Sequence, residues 1–145
     1  MSYRIKSYMR KNIVTVDAEA SAAAASKTMK QNSVGHLIVL KNDRPAGIVT
    51  ERDLVMKVMA DERDPSKVKV SEFMSTSLIT IDPDASVEDA VKIMVEKGIR
   101  RLPVVRDGIL YGMFTARDLA QHFNEYEDRV TNDIIRSMSM LSLPY

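Results

Sequence analysis

Apolar and polar positions run through the same series twice along this chain. Each series opens with a short apolar run, Ile13-Val-Thr-Val16 or Leu78-Ile-Thr-Ile81, closing on Asp17 or Asp82. Such runs predict strands. Ser21 and Ser86 then stand where helix N-caps belong, and Ser86-Val-Glu-Asp89 has the spacing of a capping box. Behind that cap, Val87, Ala90, Val91 and Met94 recur at i, i+3, i+4 and i+7, which predicts an amphipathic helix. The first series fills the same face with Ala22, Ala25, Ser26 and Met29, small side chains that let a helix lie closer to its neighbour. Lys97-Gly98 predicts the helix stop, because glycine enters the left-handed region freely. Two strands follow in each series, Leu37–Leu40 with Ala46–Thr50 and Leu102–Val105 with Leu110–Thr115. Turn residues lie between them, Asn42–Pro45 and Asp107-Gly108. A second helix opens at Thr50 or Thr115, and its first copy is expected to carry Leu54, Val55, Val58 and Met59 on one face. The unit reads β-α-β-β-α, an α/β (α+β) fold.

The duplication extends to individual residues. Met9–Leu54 and Met74–Leu119 align without a gap at an offset of 65, with 15 of 46 positions identical. Agreement peaks at Gly47-Ile-Val-Thr-Glu-Arg-Asp-Leu54 against Gly112-Met-Phe-Thr-Ala-Arg-Asp-Leu119. The lead-ins match as well, Ile5-Lys-Ser-Tyr-Met9 with Val70-Ser-Glu-Phe-Met74. The chain therefore divides into a first repeat, 5–60, a charged linker, 61–69, a second repeat, 70–123, and a C-terminal helical extension and tail, 124–145. Neither repeat buries much apolar surface alone, so the two are expected to pack about a pseudo-twofold axis.

Composition narrows the function. A net charge of +1 in 145 residues argues against a dedicated nucleic-acid binder, as do the 3 Phe, 5 Tyr and absent Trp. The absence of cysteine removes disulfides, zinc–thiolate sites and thiol catalysis. No stretch approaches the roughly 20 apolar residues that span a bilayer, and the N-terminus has no signal-like apolar core. The expected compartment is the cytoplasm. No Ser–His–Asp spacing, metal-ligand cluster or Gly-rich phosphate loop points to an enzyme, so neither catalytic nor metal-binding residues are assigned. The 10 methionines, including the pairs Met9/Met74 and Met29/Met94, read as adaptable core filler.

The order, spacing and duplication of Met9-Arg-Lys-Asn-Ile-Val-Thr-Val, Gly98-Ile-Arg-Arg-Leu-Pro-Val104 and the two Gly-x-x-Thr-x-Arg-Asp stretches resemble the cystathionine-β-synthase (CBS) domain, which occurs as tandem pairs. The resemblance implies a regulatory module that binds adenosine-containing ligands (AMP, ADP, ATP or S-adenosylmethionine) in clefts between the repeats and signals to an effector protein by changing shape. It also implies a homodimer, and no further cofactor. Carried onto this chain, phosphate falls to Thr50 and Thr115 and the ribose hydroxyls to Asp53 and Asp118. Arg52 and Arg117 are phosphate partners within the same motif. Thr15 and Thr80 flank the adenine, as do the strand-entry residues Gly35 and His36 in the first repeat and Arg100 and Arg101 in the second.

Physical chemistry supports that assignment. A strand ending in Thr and opening into a helix is expected to present unpaired N–H groups that attract anions. A carboxylate one turn inside can accept from vicinal hydroxyls, and an arginine can hold a phosphate by two parallel bonds. Plain helix capping is the rival reading, since Thr-x-x-Asp also has the spacing of a capping box. A ligand-free structural or dimerisation module is the alternative function. The two sites are not expected to be equivalent: the second has Arg100, Arg101 and Arg117, whereas the first has His36 and Arg52, with Glu51 beside any phosphate. Arg100 and Arg101, adjacent on a strand, should face opposite sides.

Overall fold

A computed structural model describes residues 3–122 and 134–138. It divides into two compact units, Ile13–Leu78 and Met1–Asn12 with Ile79–Tyr145. These units cut across the repeats. The lead-in of the first repeat packs with the body of the second, and that of the second with the body of the first. Apolar residues of the lead-ins enforce the exchange: Ile5 is fully buried in one core, while Val70 and Phe73 are buried in the other.

In the Ile13–Leu78 unit, β1 (Thr15–Asp17) runs parallel to β2 (His36–Lys41), which pairs antiparallel with β3 (Arg44–Thr50). The Asn42–Asp43 turn has positive φ at both residues (53° and 61°), the geometry of a tight hairpin. Helix α1 (Ala22–Asn32) is capped by Ser21 Oγ, which accepts from the Ala24 N–H, and ends at Ser33 in the left-handed region. Its first two N–H groups donate to the carbonyls of Val68 and Pro65. The charged 61–69 segment thus ties down a helix end, with Val68 buried in the core.

Helix α2 (Glu51–Asp53) continues over Leu54–Met59 as a wider helix with i→i+5 bonds, among them Ala60 N–H to the Val55 carbonyl. The expected face holds together, with Leu54, Val55, Val58 and Met59 all lining one groove against α1, but it is not fully covered. Val58 is buried and Leu54 half-buried, but Val55, Met56 and Met59 are exposed.

The other unit repeats the plan with α3 (Val87–Lys97), β4 (Arg101–Arg106), β5 (Ile109–Thr115) and α4 (Ala116–Gln121). Val87, Ala90, Val91 and Met94 are all buried, as the periodicity predicts. Gly98 terminates α3 at φ 64°, and Asp107-Gly108 turns the hairpin at 51° and 74°. Ser86 Oγ accepts from the Asp89 N–H, the N-cap half of the expected box.

The opening strand expected at Leu78–Ile81 is not formed as a strand: what remains is an isolated parallel bridge from Ile81 to Val104. Two prolines explain the loss. In the first repeat the parallel ladder includes bonds from the N–H groups of Ile38 and Ala18. Pro103 and Pro83 occupy those positions in the second repeat and have no N–H to donate. Only the central bonds survive, Ile81 N–H to the Pro103 carbonyl and Val105 N–H to that of Ile81.

Of the expected 124–145 extension, only 134–138 lies within the described residues; it is helical, and Met138 is buried against the core of its unit. Among the described residues no helix is long and apolar enough to cross a membrane.

Candidate functional site

The candidate residues fall into one set per unit. Thr15, Gly35, His36, Thr50, Arg52 and Asp53 belong to Ile13–Leu78, while Thr80, Arg100, Arg101, Thr115, Arg117 and Asp118 belong to the other unit. At the strand-to-helix turns Thr50 and Asp53 meet His36 and Gly35, and Thr115 and Asp118 meet Arg101 and Arg100.

Both turns form the full reciprocal capping box. Thr115 Oγ1 accepts from the Asp118 N–H at 3.0 Å, and Asp118 Oδ2 accepts from the Thr115 N–H (2.9 Å) and hydroxyl (2.8 Å). The Thr50–Asp53 turn makes the same three bonds at 2.9–3.2 Å. Strand pairing completes the arrangement by donating Ala116 N–H to the Arg100 carbonyl and Glu51 N–H to that of Gly35. The expectation of unpaired N–H groups at these helix starts is therefore corrected. Capping and sheet pairing engage the first and third of them, and α4 is only 6 residues long.

The surrounding side chains differ between the turns. Asp118 is the one charged residue among the described residues that is buried, and its Oδ1 accepts from Arg10 Nε at 2.6 Å. Arg10 belongs to the exchanged lead-in, whose backbone bonds Met113 on β5 in both directions (2.8 and 2.9 Å). At the other turn Lys57 reaches Asp53 Oδ1 at 3.2 Å from within the same helix. The lead-in residue equivalent to Arg10 is Ser75, which bonds Ile48 through its backbone.

Arg10 is the site residue that sequence reading misses. It lies 108 positions from its partner, in a lead-in read as preceding its own repeat. The available signal was the mismatch of Arg10 with Ser75 directly after the matched pair Met9/Met74.

Arg101 sits directly across the hairpin from Thr115 and is half-buried, whereas Arg100 is exposed. The two arginines thus differ in exposure, as their alternation on the strand predicts. Burial lowers the Arg101 pKa from its ordinary value, and the like charges of Arg100 and Arg10 lower it further. At the equivalent places of the first repeat stand His36, half-buried, and Gly35. The Glu51 carboxylate lies over Gly35, where it fills the space that a Cβ would need. Ala116 replaces that glutamate in the second repeat. Arg52 and Arg117 are both exposed. Thr15 pairs with Ile38 on β1; Thr80 is exposed, immediately before the Ile81 bridge.

The CBS-domain family model matches residues 5–60 and 70–125, the two repeats. The chain belongs to the CBS-domain family. An uncharacterised protein of Methanopyrus kandleri, MK0525, is 40% identical over 114 residues, covering 77% of this chain and 58% of that protein. The chain thus spans little more than half of that relative's length. The CBS domain-containing protein YhcV of Bacillus subtilis is 36% identical over 116 residues, which is 80% of this chain and 82% of YhcV. Among solved structures, a hexameric CBS-CP12 protein from bloom-forming cyanobacteria aligns with a TM-score of 0.76 at 32% identity, covering 92% of this chain and 76% of that one. The tandem CBS fold anticipated from the motifs is what the chain adopts.

Proposed function

We propose that this CBS pair is a regulatory module that binds an adenosine-containing ligand at the Thr115–Asp118 turn and signals through a change of shape to a partner protein. One observation carries the reading. A buried carboxylate is held at a hairpin-to-helix turn beside Arg101, a half-buried guanidinium with no ion-pair or hydrogen-bond partner among the described residues. A half-buried charge without a partner costs solvation and contributes nothing to folding in return. A ligand combining vicinal hydroxyls with an anionic group answers both features, the hydroxyls at Asp118 and the anion at the arginines. Such a ligand shifts a conformational equilibrium only by its differential affinity for the two states. The Thr50–Asp53 turn, with Glu51 over Gly35, is the weaker of the two.

The test is thermal unfolding with AMP, ADP, ATP and S-adenosylmethionine. Ligand at 100 times its Kd adds about 2.7 kcal/mol of stability. Asp118→Ala should remove the shift arising at this turn. No shift with any adenosine compound would sink the reading.

A second reading, a ligand-free dimerisation module, draws on a different observation. Val55, Met56 and Met59 are exposed (53%, 52% and 75%) beside a groove of about 550 Å³ between α1 and the widened helix. The CBS-CP12 relative is hexameric. A concentration-dependent Tm that no adenosine compound alters would favour this second reading.

A further inference from the structure

Arg10 touches Asp118 with only one of its three nitrogens. Nε donates to Oδ1 at 2.6 Å, and the two terminal nitrogens have no partner among the described residues. The Arg10 side chain is 49% exposed, so those nitrogens can meet solvent or a ligand. An arginine anchored through Nε keeps its planar fork in a set orientation, the geometry suited to two parallel bonds with a phosphate.

The surroundings add charge of the same sign. Arg100 and Arg10 both lie close enough to Arg101 for its guanidinium to feel their charge. Among the described residues Arg10 alone of the three bonds Asp118, whose carboxylate is also engaged by Thr115. Ala116 contributes no charge where the first repeat places Glu51. The local excess is therefore about two positive charges. That excess opposes a cationic ligand and favours an anion of two or more charges.

Resting on the adenosine reading above, the geometry points to Arg10 as a specificity residue. Supplied by the exchanged lead-in, it makes this turn select a di- or triphosphate over uncharged or cationic adenosine compounds. Asp118 serves as its positioning residue, holding Nε so that the terminal nitrogens face the phosphates.

The experiment is isothermal titration of the full chain with ATP, adenosine, S-adenosylmethionine and inorganic tripolyphosphate, repeated with Arg10→Ala and Arg10→Lys. Circular dichroism and Tm verify that both variants are folded. ATP should bind roughly tenfold or more tightly than adenosine or S-adenosylmethionine, a gap of the size that one charge-assisted bond supplies. Arg10→Ala should collapse that gap and flatten the salt dependence of ATP binding. Arg10→Lys should restore part of it, as a charge without the fork.

Equal affinity for ATP and S-adenosylmethionine, or ATP binding indifferent to Arg10→Ala, would overturn the inference and leave the adenosine reading standing. Tripolyphosphate binding as tightly as ATP, with the same Arg10 dependence, would uphold the anion selectivity of Arg10 and sink the adenosine reading. Binding of none of the four would overturn both.

Discussion

The two strand-to-helix turns share the same Thr-x-Arg-Asp letters and the same capping hydrogen bonds, yet their electrostatics differ. At Thr115–Asp118 the carboxylate is buried, an arginine from a distant segment holds it, and two further arginines stand close by. At Thr50–Asp53 the carboxylate is more exposed, its cation comes from its own helix, and a second carboxylate covers Gly35. Duplication of a fold conserves what the backbone requires. Charge is free to diverge at positions that the backbone does not need, here Arg10 against Ser75, Arg100 against Gly35 and Ala116 against Glu51.

The largest expected effects test the shared part. Leu37 and Leu102 are equivalent and fully buried. Leu37→Ala and Leu102→Ala should each cost about 2–5 kcal/mol in denaturant unfolding. The two values should agree closely, and a gross inequality would show that the cores have diverged as well.

Next come the aspartates, where the effects should part. Asp53→Ala removes a cap and an exposed i,i+4 pair, which costs about 1 kcal/mol. Asp118→Ala removes a cap and the buried ion-pair partner of Arg10, and should cost about 2 kcal/mol, discounted because Arg10 is half exposed. Equal losses would erase the distinction between the turns.

The lead-in residues give a smaller contrast. Arg10→Ala should cost about 1 kcal/mol by loss of a charge-assisted bond to a buried partner. Ser75→Ala should be nearly neutral, because the contacts of Ser75 to Ile48 run through its backbone.

The smallest effect lies in acid. Arg106 bonds both Asp82 and Asp84, and Lys6 bonds Asp84. These partners lower the Asp82 pKa and take that of Asp84 to about 2. Asp82 is exposed and Asp84 half-exposed. A carboxyl whose folded pKa is depressed contributes stability above its unfolded value near 4, and loses it as pH falls through the folded value. Arg106→Ala should therefore flatten the acid limb of an unfolding titration between about pH 4 and about 2. An unchanged limb would remove this network from the account.

Much of the fold was legible because it rests on local rules. Helices α1 and α3 follow from their apolar spacing, their Ser caps and the stop at Gly98, and the hairpins from turn residues that tolerate positive φ. The same local rules predicted too much in two places. Pro83 and Pro103 were visible, but their cost appears only when a parallel partner needs the missing donors. The widened helix over Leu54–Met59 was invisible, because a 3.6-residue period was assumed where i→i+5 bonds form.

The sequence by itself determined the duplication, the element order, the family and the two Thr-x-Arg-Asp turns, since each depends on residues close together in the chain. Only the tertiary structure decided that the lead-ins are exchanged, that Arg10 reaches Asp118 across 108 positions, and that Arg101 is half-buried with no counter-ion among the described residues. Such pairings depend on which segments each core draws in to bury Ile5, Val70 and Phe73. That is set by burial over long sequence separations, which no local pattern records.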